Sequence, residues 1–207
     1  PPTAPEDRPG LIDPYGGLKD MQNGQIRETT PGNLFDDPVR IVKAARLSAA
    51  LEFDVEKVTV AAARECAHMI AGQSPERVRD EIYGLFATER AMRGVRELDR
   101  LCALSVIFPE LDDCRNVQQS PNHHHWDVFN HMVETIGKLE ILLDSSTRTN
   151  DHLLADAPWP ENFETHLSEV VGDGLTRRTV LKLTGLLHDI SKPETKTIDD
   201  DGRMRFF

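Results

Sequence analysis

Aromatic residues are scarce in this sequence, at 6%, and there are only three cysteines. Cys66, Cys102 and Cys114 are an odd number and form no Cys-x-x-Cys pair, which argues against a disulfide framework or a zinc knuckle. Their expected state is the reduced thiol of a cytosolic protein, so the cytoplasm is the default location. Apolar runs are short, and nothing resembles a membrane span or a signal peptide. Positive charge is also in deficit: 24 Lys and Arg stand against 35 Asp and Glu, a formal net charge of -11. Phosphate contacts need Lys and Arg, so any RNA-binding surface must be a local basic patch. The excess negative charge is expected to aid solubility.

What is present points to a folded, mostly α protein. Hydrophobic content is 39% and charged content 29%, ordinary for a globular chain. Residues 1–34 are rich in turn signals, with Gly16-Gly17, Asn23-Gly24 and Pro31-Gly32, and read as a connector with one short strand near Gln25 to Glu28. From Asp36 the pattern becomes helical. Pro38 suits a first turn, and Ile41, Ala44, Ala45, Leu47, Ser48 and Leu51 recur at helical spacing. Further helices are expected over 55–70, 74–86 (Ser74 as N-cap, Pro75 at the first position) and 89–104. These make a helical block over 35–112. Over 113–207, helices are expected at 126–143 and 176–188, and a hairpin near the end, where Asp201-Gly202 is a turn signal. The chain is expected to start and stop inside folding units, as a fragment would.

Two constellations carry chemistry. Asp37 and Arg40 lie three residues apart at a helix start and share a face. A carboxylate acceptor beside a guanidinium fork complements the edge of a base. By spacing alone the simpler reading is an intrahelical ion pair at a helix start. The second constellation is His131 with His188-Asp189, the latter closing an apolar helix with Leu181, Leu183, Leu186 and Leu187. Burying such a pair without partners is costly, so a metal or a polar network is expected there. Imidazole with carboxylate suits Zn, Mn, Fe or Ni. For a bare His-Asp dipeptide, the simpler reading is a satisfied core histidine with a capping Asp. His123-His124-His125 reads as a polar loop ahead of a helix, His68, His152 and His166 as ordinary residues, and Trp126 and Trp159 as packing residues.

Four segments in order carry a resemblance. They are Asp13-Pro14-Tyr15-Gly16-Gly17 with Asp20, then Ile26-Arg27, then Asp36-Asp37-Pro38-Val39-Arg40, then Ser74-Pro75-Glu76-Arg77 with Glu81. Together they resemble the class II CCA-adding tRNA nucleotidyltransferase and poly(A) polymerase family. The resemblance implies that Asp37 and Arg40 read CTP or ATP. It implies that Asp36, Glu76, Arg77 and Glu81 support that site, and that residues 1–34 lead from a catalytic head. The head's Gly-Ser loop and its metal-binding carboxylates are not in this sequence. Nucleotidyl transfer with Mg²⁺, onto tRNA or another RNA 3′ end, would need that head.

The run from His125 to His131, with Leu186-Leu187-His188-Asp189-Ile190-Ser191-Lys192 later, resembles the HD-type metal-dependent phosphohydrolases. It implies His131, His188 and Asp189 as ligands of Mn, Ni, Fe or Zn and a phosphohydrolase or phosphodiesterase activity. Ser191 stands where that family usually has Gly. Two alternatives are a headless HD phosphohydrolase and a non-catalytic RNA-binding module.

Overall fold

The computed structural model describes residues 12–119, 126–150, 154, 158–200 and 204–206. The His123 to His125 run, His152 and the Asp201-Gly202 turn lie outside the described residues. The connector is locally built: the Asp13 carboxylate accepts from the backbone N–H groups of Gly17 (2.8 Å) and Leu18 (3.0 Å) and so tethers the first turn of α1, Gly17–Gln22. Those bonds hold Asp13 below the usual carboxylate range. Arg27 then bonds Asp20 and the Tyr15 carbonyl, closing the segment on itself. Between them runs β1, Gln25–Ile26, which pairs in parallel with β2, Asp54–Val55. That pairing is long-range and has no signal in the local pattern.

A short α2, Asn33–Asp36, leads into α3, Val39–Leu51. The spacing of Val39, Ile41, Val42, Ala44, Ala45, Ser48 and Ala49 buries one broad face of α3. Around it lie α4 (Lys57–Cys66, running into a 3₁₀ turn at Ala67–Gly72), α5 (Pro75–Phe86) and α6 (Ala91–Arg100). Ser74 caps α5 as expected, accepting from the Arg77 N–H. The expected helix at 55–70 is thus split, and the one at 89–104 is shorter than its apolar pattern. Two single-turn helices follow, α7 (Leu104–Ile107) and α8 (Glu110–Asp113).

The second half is built on α9, Val128–Leu143, capped by Asp127. After α10 (Ser145–Asn150), α11 (Phe163–Ser168) and the small hairpin of β3 (Val170–Gly172) and β4 (Leu175–Thr176) comes α12, Arg177–Leu187, capped by Thr176. A turn, α13 (Lys192–Thr195), and the antiparallel pair β5 (Lys196–Ile198) and β6 (Met204–Phe206) complete the described chain. The expected hairpin is present.

Helix α3 packs on α5 and α6, α9 packs on α6 and α12, and α12 also reaches α5. One buried cluster therefore runs from Leu34 through Ile41, Leu98 and Ile136 to Leu186. Small residues set the crossings: a Cβ on Gly94 of α6 would lie 2.7 Å from Leu85 Cγ of α5. Among the described residues no helix is long and apolar enough to cross a membrane.

Candidate nucleotide-reading and metal sites

Asp37 lies in the break between α2 and α3, where its side chain can face the N-terminal turn of α5. Arg77 Nη2, from that turn, donates to both Asp37 carboxylate oxygens at 3.0 and 2.8 Å. Arg40 Nε lies 3.4 Å from the same group. Arg40 also donates to the Asn33 carbonyl at 3.3 Å. The Arg77 guanidinium holds the Asp37 carboxyl below the usual carboxylate range, and Asp37 in turn raises Arg77. The intrahelical pair read from spacing exists, but the shorter contact comes from another helix. Asp37 is mostly buried, whereas Arg40 and Arg77 are about half exposed. The result is a fixed acceptor flanked by two donor forks that reach solvent.

The remaining predicted residues divide. Glu81 accepts from Arg46 Nε at 2.6 Å, a second tie between α5 and α3. Glu76 accepts from the Ser74 hydroxyl at 2.6 Å and stays at the helix start, where its charge is favoured by the dipole. Asp36 is exposed. Arg46 was not singled out in the sequence, because its partner Glu81 lies 35 residues away on another helix. Arg93 was also missed. It donates to the Ser48 and Phe53 carbonyls and to Asp54, and so finishes the C-terminal end of α3.

The histidine constellation converges as its spacing could not show. His131 lies in the first turn of α9, and His188 caps the C-terminus of α12. Because α9 and α12 pack together, the two rings meet edge to face with centroids 5.3 Å apart. Asp189 Oδ2 lies 3.1 Å from His188 Nε2 and 3.4 Å from His131 Nε2. One ligand atom from each of the three residues falls within a 4.8 Å span. A tetrahedral ion with bonds of about 2.0–2.1 Å has neighbouring donor atoms about 3.3 Å apart, which the two separations from Asp189 Oδ2 match.

The tautomer fits too. His188 Nδ1 sits 3.0 Å from the Gly185 carbonyl, which can only accept. Nδ1 therefore carries a proton, and Nε2 is the atom turned toward Asp189.

Cys114 is not among these converging donors. Its Sγ donates toward the Ile190 carbonyl at 3.5 Å, and burial pushes its thiol up to about 11. Lys192, which closes the run from Leu186, and Gln119, which the sequence did not single out, complete the surroundings. Lys192 Nζ pairs with Asp189 Oδ2 at 2.7 Å and donates to Gln119 Oε1 at 2.8 Å.

Comparison with known proteins identifies what the chain is similar to. Residues 52–115 match the family described as "Probable RNA and SrmB-binding site of polymerase A". Over 206 residues the chain is 32% identical to an A-adding tRNA nucleotidyltransferase of Deinococcus radiodurans, covering 95% of this chain and 39% of that protein. It is 30% identical over 174 residues to a multifunctional CCA protein of Stenotrophomonas maltophilia, covering 78% of this chain and 42% of that one.

Among solved structures, a tRNA-processing enzyme in an apo form superposes with a TM-score of 0.59 at 19% identity, over 89% of this chain and 40% of the other. A tRNA nucleotidyltransferase complexed with a primer tRNA and an incoming ATP analog gives 0.59 and 19%, over 89% and 44%. At that identity the likeness is one of fold. The chain spans about two fifths of the length of these curated relatives.

Proposed function

Over the residues it spans, the chain belongs to the family of CCA-adding tRNA nucleotidyltransferases and poly(A) polymerases, and from that premise we propose that it is the nucleotide-selecting, RNA-binding part of an RNA 3′-end nucleotidyltransferase. Its incoming nucleotides are CTP and ATP, and its acceptor is the 3′ end of tRNA or another RNA. It works in the cytoplasm, where its free thiols stay reduced. The phosphoryl-transfer step, which needs metal-held charge stabilisation, belongs to a head with Mg²⁺ outside this chain.

The observation that carries this reading is the Asp37, Arg40 and Arg77 constellation. A carboxylate has about four lone-pair sites, and the arginines leave part of that capacity for the exocyclic amine of cytosine or adenine. Arg40, with donors still open to solvent, reaches ring nitrogen or carbonyl oxygen on the same base edge. Selection by side chains fixed in this way needs no nucleic-acid template. The test is nucleotide addition to tRNA by the enzyme with its head present. Asp37→Ala should abolish discrimination between CTP and ATP and UTP while leaving RNA binding intact. Unchanged selectivity would remove Asp37 from the reading role.

A second reading is favoured by the three converging donors. We assign His131, His188 and Asp189 as ligands of a divalent ion, Mn, Ni, Fe or Zn, in an HD-type site. Such an ion supplies a water of lowered pKa for phosphoester hydrolysis when bound. The chain's own part is orientation: the α9 and α12 contact brings the two Nε2 atoms together, and the Gly185 carbonyl fixes the His188 tautomer. His188→Ala should abolish metal-dependent phosphodiester hydrolysis yet leave nucleotide addition unaffected. Hydrolysis that persists in this variant would assign it elsewhere.

A further inference from the structure

Three positively charged or potentially charged groups meet on one oxygen. Asp189 Oδ2 lies 2.7 Å from Lys192 Nζ, 3.1 Å from His188 Nε2 and 3.4 Å from His131 Nε2. Lys192 is thus closer to this atom than either imidazole is. The lysine is itself held from its other side. Gln119 Oε1 accepts from Nζ at 2.8 Å, and the Phe206 ring lies with its centroid 5.3 Å from the ammonium. Gln119 is 5% exposed, and its Nε2 has no hydrogen-bond partner. A buried amide with one end unmatched is costly, and here its matched end points at Lys192.

We propose that Lys192 is a resident counter-ion of the His131, His188 and Asp189 site, competing with the divalent ion for Asp189 Oδ2 and thereby setting the metal affinity. The inference rests on the metal-site reading given above. An ion bound at about 2.1 Å from Oδ2, with the ammonium left in place, would put two like charges a few ångströms apart on one carboxylate oxygen. One of them has to give way. The ammonium has other partners to fall back on, because Gln119 Oε1 and the Phe206 ring already contact it. Gln119 and Phe206 are therefore positioning residues for the displaced lysine. The neighbouring Lys196 Nζ, bonded to the Gln118 carbonyl at 3.1 Å, keeps β5 against the same segment. Metal occupancy should accordingly be felt in β5 and β6.

The test is metal titration of the chelator-stripped protein by calorimetry, with Zn²⁺ and Mn²⁺ as probes and circular dichroism as the check on folding. Lys192→Met should bind the ion about tenfold more tightly than the wild type, because the competing charge is gone. Lys192→Arg, which keeps a cation within reach of Asp189, should stay close to the wild type. In the unmodified protein, acylation of Lys192 followed by mass spectrometry should rise when metal is added, while Lys138 stays constant. Lys192→Met binding with equal or lower affinity, or a Lys192 footprint that does not respond to metal, overturns the inference. If His188→Ala still abolishes binding in that case, the metal site itself stands. If neither the wild type nor Lys192→Met binds either ion, the metal-site reading falls and the inference falls with it.

Discussion

Asp37 is the residue at which two helices agree on one carboxylate. Its ordinary value is 3.8, and the Arg77 hydrogen bonds lower it in the folded state. A carboxyl with a lowered folded pKa contributes stability above the unfolded value and loses it as pH falls through the folded one. Asp37→Asn should therefore be less stable than the wild type at pH 7, and the gap should close as the pH drops below the usual carboxylate range. Urea midpoints of both proteins between pH 7 and pH 2 measure this. A gap that persists at the acid end would mean that Asp37 acts through something other than its charge. The sequence placed Asp37 and Arg40 on one face, because three residues is a helical near-neighbour distance. It could not pair Asp37 with Arg77, which is forty residues away.

Among the elements, α12 is the one whose position decides the second site. Gly185 faces α9, and a Cβ there would lie 2.8 Å from Leu139 Cδ1. Its carbonyl also orients His188. Gly185→Ala forces the two helices apart or pushes Leu139 from its rotamer, at a cost of about 1–3 kcal/mol. Because His188 rides on α12 and His131 on α9, the variant should also lose affinity at the proposed metal site. Thermal denaturation and metal titration read the two effects separately. Full affinity alongside the destabilisation would show that Leu139 absorbs the extra methyl and the helices stay put.

α12 is also pinned by a buried lysine. Lys182 is 1% exposed and donates to the Thr88 carbonyl at 2.6 Å, while Glu140 of α9 accepts from the Met92 N–H at 2.8 Å. Burial lowers the one and raises the other. Lys182→Leu leaves the Thr88 carbonyl without its donor and should cost about 1–3 kcal/mol in a denaturation experiment. An unaffected midpoint would mean that the carbonyl finds water.

Across the whole molecule, the block that carries Asp37 and the histidine block share one apolar core. Ile41 on α3 and Ile136 on α9 are both fully buried and belong to the same cluster. Truncating either to Ala removes buried methyl groups and should cost about 2–5 kcal/mol. Both variants should lower a single transition that reports on the two halves together. Two separable transitions in calorimetry, each moved by only one of the substitutions, would show the halves to be energetically independent.

The sequence by itself determined the helices with clear periodicity or good caps, α3 by its apolar spacing and α5, α9 and α12 also by their Ser, Asp and Thr caps, because those signals lie within a few residues of one another. It also put forward the residues of both candidate sites, Asp37 with Arg40 and His131 with His188-Asp189, although spacing alone favoured an ion pair and a core histidine, and the family resemblances carried the rest. Only the tertiary structure decided that Arg77 rather than Arg40 makes the shorter contact to Asp37, that Arg46 meets Glu81, and that Lys192 and Gln119 stand beside the histidines. It alone showed the β1 and β2 pairing and the shared core. Each of these depends on which helix faces which, set by burial summed over many distant residues, and no local window of sequence contains that sum.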